Sequence, residues 1–101
     1  MNFGLSTSTT NKINSVFEKH PEIEEVIIYG SRAKGNFREG SDIDITILGN
    51  DLNINILSEI NQQIDDLNTP YLFDISIFKT LKSEEFINHI NRAGKTFYKK
   101  N

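Results

Sequence analysis

Cysteine is absent from this 101-residue chain. That excludes a disulfide framework, thiol catalysis and thiolate metal ligation, and leaves the fold indifferent to redox compartment. Long apolar runs are missing too: none approaches the roughly 20 residues that span a membrane, and nothing near the N-terminus has the pattern of a signal peptide. A basic excess is the third absence. Eleven Lys and Arg stand against fourteen Asp and Glu, for a net charge of -3, and no stripe interleaves aromatic with basic residues. A partner held only through a polyanion backbone is therefore disfavoured. These absences lead to the expectation of a soluble cytoplasmic protein without a membrane and without direct nucleic-acid contact.

What is present fits one domain, 1–101. A chain of this length buries roughly two-thirds of its extended-chain surface and leaves little room for a second site or a complete substrate-binding module. There are no internal repeats. Thr9 or Thr10 is placed to cap a first helix carrying Ile13, Val16 and Phe17 at helical spacing, with Pro21 marking its end. Val26-Ile27-Ile28-Tyr29 reads as a short buried strand that Gly30 stops. A second strand runs from Asp42 to Leu48, and an amphipathic helix from Asn53 to Leu67 places Ile56, Leu57, Ile60, Ile64 and Leu67 on one face. Tyr71 to Phe78 is a third strand. Ser83 caps a last helix with Glu84 and Glu85 in its first turn and Gly94 as its stop, before Thr96-Phe97-Tyr98, a terminal strand or mobile tail. The connection between the first two strands is too short for a crossover helix, so they are expected to be adjacent and antiparallel or joined by a long turn. The pattern predicts a small α/β (α+β) fold, one mixed sheet packed against helices, and not a doubly wound dinucleotide-binding fold.

Two features stand out chemically. Residues two apart in a strand share a face, so Asp42 and Asp44 project on one side with Thr46, opposite Ile43, Ile45 and Ile47. Asp74 interrupts the apolar third strand in the same way. If the third strand lies beside the second, all three carboxylates converge, and hard oxygen donors of that kind suit magnesium. The bland alternative has Asp42 capping a loop, Asp44 solvated and Asp74 on an exposed face. Convergence decides between them. Gly30-Ser31 directly after a buried strand permits a tight turn whose N–H groups and hydroxyl hold phosphate oxygens, or is an ordinary strand end. Arg32, Lys34 and Arg38 are placed to offset phosphate charge, Lys34 and Arg38 more simply as solvated loop residues. His20 and His89 read as surface or capping residues.

Gly30-Ser31, ten residues, and then Asp42-Ile43-Asp44 resemble the signature of the nucleotidyltransferase superfamily that includes DNA polymerase beta. The Gly-Ser-Arg-Ala-Lys-Gly wording and the short chain resemble its minimal nucleotidyltransferase (MNT) group. The resemblance implies that Gly30 and Ser31 hold nucleotide phosphates, that Asp42 and Asp44 bind metal ions, and that Asp74 is the third carboxylate, positioning and deprotonating an acceptor hydroxyl. Arg32 would be a phosphate contact. Mg2+ is then the implied cofactor and ATP the implied donor of AMP. Members of this group are usually partnered by a separately encoded, all-helical HEPN protein. In several such pairs the helical protein is a toxin and the nucleotidyltransferase an antitoxin that transfers AMP to a tyrosine of its partner; other partners resemble substrate-binding subunits for a small molecule. The resemblance thus implies a protein adenylyltransferase of a toxin–antitoxin system, in a homodimer or hetero-oligomer, with small-molecule transfer and non-catalytic masking of the partner as the alternatives.

Overall fold

The computed structural model describes residues 2–101. Its elements run α1 (Thr7–Glu18), β1 (Glu25–Tyr29), α2 (Ser31–Lys34), β2 (Ile43–Leu48), α3 (Ile54–Asp65), β3 (Phe73–Ile77), a 3-10 turn (Phe78–Thr80), α4 (Glu84–Ala93) and β4 (Lys95–Lys99). One mixed sheet has the order β3-β2-β1-β4. β1 pairs antiparallel with both β2 and β4, whereas β2 and β3 are parallel, α3 forming the crossover. The expected α/β class and the adjacency of the first two strands are both present.

One face of the sheet is the core. Val26 and Ile28 of β1 and Ile43, Ile45 and Ile47 of β2 are fully buried against Ile13, Val16 and Phe17 of α1 and Ile60 and Ile64 of α3. Each such side chain contributes about 1.5–3 kcal/mol on burial. That sum lets the opposite face carry clustered carboxylates at the end where β1 stops and β2 and β3 begin. α4 packs on this second face, its Phe86 ring meeting Tyr29 edge-on at 5.4 Å.

Local chemistry sets the helix ends. Ser6, not Thr9 or Thr10, caps α1: its hydroxyl accepts from the Thr9 N–H at 3.0 Å, so both threonines lie inside the first turns. Asn53 caps α3 and Ser83 caps α4 in the same manner, accepting from Ile56 and Phe86. Three sequence expectations change. α2 is a one-turn helix where a turn alone was expected. His20 is buried rather than superficial, its Nε2 lying 2.7 Å from Gln63 Oε1, which ties the end of α1 to α3. Tyr98 is no mobile tail residue: β4 joins the sheet, and a bulge opposite Val26 and Ile27 turns both Phe97 and Tyr98 toward Phe17, at 6.3 and 5.6 Å between ring centroids.

Candidate active site

Cross-strand neighbours in a sheet point to the same side. Tyr29 is registered opposite Asp44, and Asp44 opposite Asp74, so β1, β2 and β3 carry Tyr29, Asp44 and Asp74 as one row across the sheet. Asp42 lies two residues before Asp44, at the exposed mouth of β2. The acids are close enough to feel one another. Partial burial, then the negative charge of Asp74, then that of Asp42, raise the Asp44 carboxyl above its ordinary value of 3.8. Tyr29 is buried, and its phenol is pushed up to about 12, chiefly by burial and then by Asp74 and Asp44, with the nearby Ser76 side chain pulling the other way.

Gly30 closes this row. Its φ of +77° lies in the region that favours glycine, and a β-carbon there would stand 2.6 Å from Asp44 Oδ2. The backbone therefore runs directly beside the carboxylate, and α2 begins at Ser31. Gly30, Ser31, Asp42, Asp44 and Asp74 thus surround one end of the sheet.

Arg32 departs from its expected role. It is 2% exposed, and its guanidinium is spent on the protein's own backbone: Nε and Nη2 donate to the Ser41 carbonyl at 3.1 and 2.9 Å, and Nη1 donates to the Phe3 carbonyl at 2.9 Å. Phe37 and Tyr71 stack on it with centroids 5.0 and 4.8 Å from Cζ. A side chain so enclosed is a clamp on the residue preceding Asp42, not a phosphate contact. Ser41 adds a turn of its own, its hydroxyl accepting from the Arg38 N–H at 2.9 Å. Lys34 and Arg38 are exposed.

Sequence reasoning missed a set of hydroxyls one step along the same face. Thr46 is fully buried; its Oγ1 donates to the Ser76 carbonyl at 3.3 Å and accepts from Ser76 Oγ at 3.0 Å. The available signal was the alternation itself, since Thr46 and Ser76 each follow a carboxylate by two residues.

Among the described residues, no three carboxylates or imidazoles close into a preformed metal cage. The acids form an open row. Magnesium is commonly held by one or two carboxylates plus substrate phosphates and waters, so an open row of crowded carboxylates beside a bare glycine backbone fits a metal–nucleotide better than a metal alone.

The fold and this row describe an α/β domain with an acidic, glycine-flanked edge of the nucleotide-handling kind. The family model described as polymerase beta, nucleotidyltransferase, matches residues 11–101; the chain belongs to that family. No curated protein matches it. Among solved structures, a toxin–antitoxin complex with AMP-PNP contains a chain 22% identical, with a TM-score of 0.72, covering 90% of this chain and 73% of that one. A complex of a tri-AMPylated Shewanella oneidensis HEPN toxin with its MNT antitoxin gives 19% identity, a TM-score of 0.67 and coverage of 95% and 74%. The complex MntA-HepT gives 19%, 0.66, and 94% and 74%. At these identities the likeness is one of fold.

Proposed function

We propose that the protein is a magnesium-dependent nucleotidyltransferase that moves AMP from ATP to a tyrosine hydroxyl of a small helical HEPN-type partner, acting as its antitoxin in the cytoplasm. The observation that carries this reading is the row Asp44–Asp74 beside Gly30 in a chain of the polymerase beta family. Support for donor and acceptor comes from the fold relatives, one a complex with AMP-PNP and another containing an AMPylated HEPN toxin. No helix among the described residues is long and apolar enough to cross a membrane.

In this reading the Gly30 backbone and Ser31 receive the triphosphate, and a side chain at position 30 would press on the Asp44 carboxylate beside it. Asp42 and Asp44 would hold the metal, and Arg32 keeps Asp42 in place by gripping the Ser41 carbonyl. Bound magnesium would neutralise charge on the triphosphate and on the departing pyrophosphate. Asp74 accepts the proton of the acceptor hydroxyl as its oxygen bonds to the α-phosphorus. The bond from that phosphorus to the bridging oxygen breaks, and the electron pair leaves with pyrophosphate.

The test is intact-mass measurement of the helical partner after incubation with this chain, ATP and magnesium. The partner gains whole adenylyl groups with the wild-type chain and none with Asp42→Asn or Asp44→Asn. A partner silenced equally well by those variants, with no mass gain, would leave masking as the mechanism. Transfer to a small molecule alone would move the acceptor off the protein.

A further inference from the structure

β3 is an edge strand, held in the sheet by parallel pairing with β2 alone. Asp74 sits on it, exposed, at the rim of the row. An edge strand with one neighbour is the part of a sheet freest to twist and fray, yet in the proposed reaction Asp74 must meet a hydroxyl within hydrogen-bond reach, where small misplacements are costly. Something has to hold it. The structure provides a pair of hydroxyls joining β2 and β3 one step behind the carboxylates. Thr46 of β2 and Ser76 of β3 are joined by two hydrogen bonds, Thr46 Oγ1 to the Ser76 carbonyl and Ser76 Oγ to Thr46 Oγ1.

We infer that Ser76 and Thr46 are positioning residues that pin β3 to β2 and thereby fix Asp74 against Asp44. Asp42 and Asp44 need no such help: β2 is a central strand with a neighbour on each side, and the Arg32 clamp holds its entry. The hydroxyl set therefore serves the acceptor side of the reaction and not the binding of metal and nucleotide. This inference rests on the role proposed for Asp74, but the pinning of β3 is a property of the chain alone and is measurable without turnover.

The experiment compares Ser76→Ala and Thr46→Val with the wild-type chain in two ways. Amide hydrogen exchange of the free protein reads the pinning: exchange across Phe73–Ile77 should quicken by about tenfold or more, with β1–β2 amides unchanged. Unchanged exchange in β3 overturns the inference, whatever the protein transfers. Kinetics with the helical partner read the consequence: kcat should fall by about 10–100-fold, as for loss of an outer-shell partner, while affinity for ATP with Mn2+, measured by calorimetry, stays within about twofold. A parallel fall in ATP affinity, or in β1–β2 protection, would reduce the hydroxyls to general fold stabilisers and also overturn it. In the Asp74→Asn background, Ser76→Ala should add no further loss of kcat. If the wild-type chain transfers nothing to any acceptor, the proposed function fails, and the exchange measurement still decides whether β3 is pinned.

Discussion

Asp44 pays a visible penalty for its position between Asp42 and Asp74. Its carboxyl titrates above 3.8 in the folded chain, so the native state binds the proton more tightly than the unfolded state does. Stability therefore falls as pH rises through the window from 3.8 to the raised folded value, and the full penalty stands above that window. Asp44→Asn in the metal-free protein should accordingly unfold at higher temperature than wild type near neutral pH, and the gap should close as the pH is lowered toward 3.8; thermal melts across that range check it. Arg32 makes the opposite case, a charge satisfied entirely by backbone carbonyls. Hydrogen bonds to charged groups are worth about 1.5–3 kcal/mol each, so Arg32→Ala should cost about 3 kcal/mol or more in urea unfolding. Arg32→Lys should rescue little of it, since an ammonium lacks the planar fork that reaches Ser41 and Phe3 together and stacks between Phe37 and Tyr71.

Among the elements, β4 shows how a terminal segment becomes structural. It extends the sheet beyond β1, and its bulge sends Phe97 and Tyr98 to the same side, where both rings reach Phe17 while Phe97 also lies 5.9 Å from Phe3. A mobile tail would tolerate deletion. Removal of residues 95–101 should instead expose the β1 edge and part of the α1 face, and Phe97→Ala should lower stability by about 2–3 kcal/mol, less than a fully buried aromatic because the ring is half-buried. Chemical denaturation of both variants checks this. Phe3 shares the same cluster, so the segment before α1 is held from two sides: its ring by Phe97 and its carbonyl by Arg32.

At the scale of the whole molecule, the sheet separates stability from chemistry. The aliphatic face against α1 and α3 supplies the cohesion, and the other face gathers carboxylates at one end, with no closed cage of ligands among the described residues. A cation without phosphates should therefore bind weakly. Magnesium alone should raise the melting temperature little, ATP alone little, and the two together by several degrees, with the increment lost in Asp42→Asn. Calorimetric or dye-monitored melts distinguish that cooperative rise from simple additive shifts.

Much of this was legible in the chain. The alternation of Ile43, Ile45 and Ile47 with Asp42, Asp44 and Thr46 set the two faces of β2, because a strand has a period of two whatever its neighbours are. The helical spacing of Ile13, Val16 and Phe17, and of Ile60 and Ile64, marked the helices that cover the apolar face. Gly30 and Asp44 could be singled out by type and spacing, although their closeness could not. What only the tertiary structure decided was partnership. Local pattern does not say which strand lies beside which, so the placement of Asp74 beside Asp44 waited on the parallel register of β2 and β3. Arg32 looked like a ligand contact because an arginine near acids and a glycine turn is usually exposed. Its burial follows from Phe3, Phe37, Ser41 and Tyr71, which meet around it only when the chain has folded. Sequence by itself determined the face each residue occupies, through the fixed periods of strand and helix; tertiary structure decided what each face meets, because contacts between segments distant along the chain depend on register and packing.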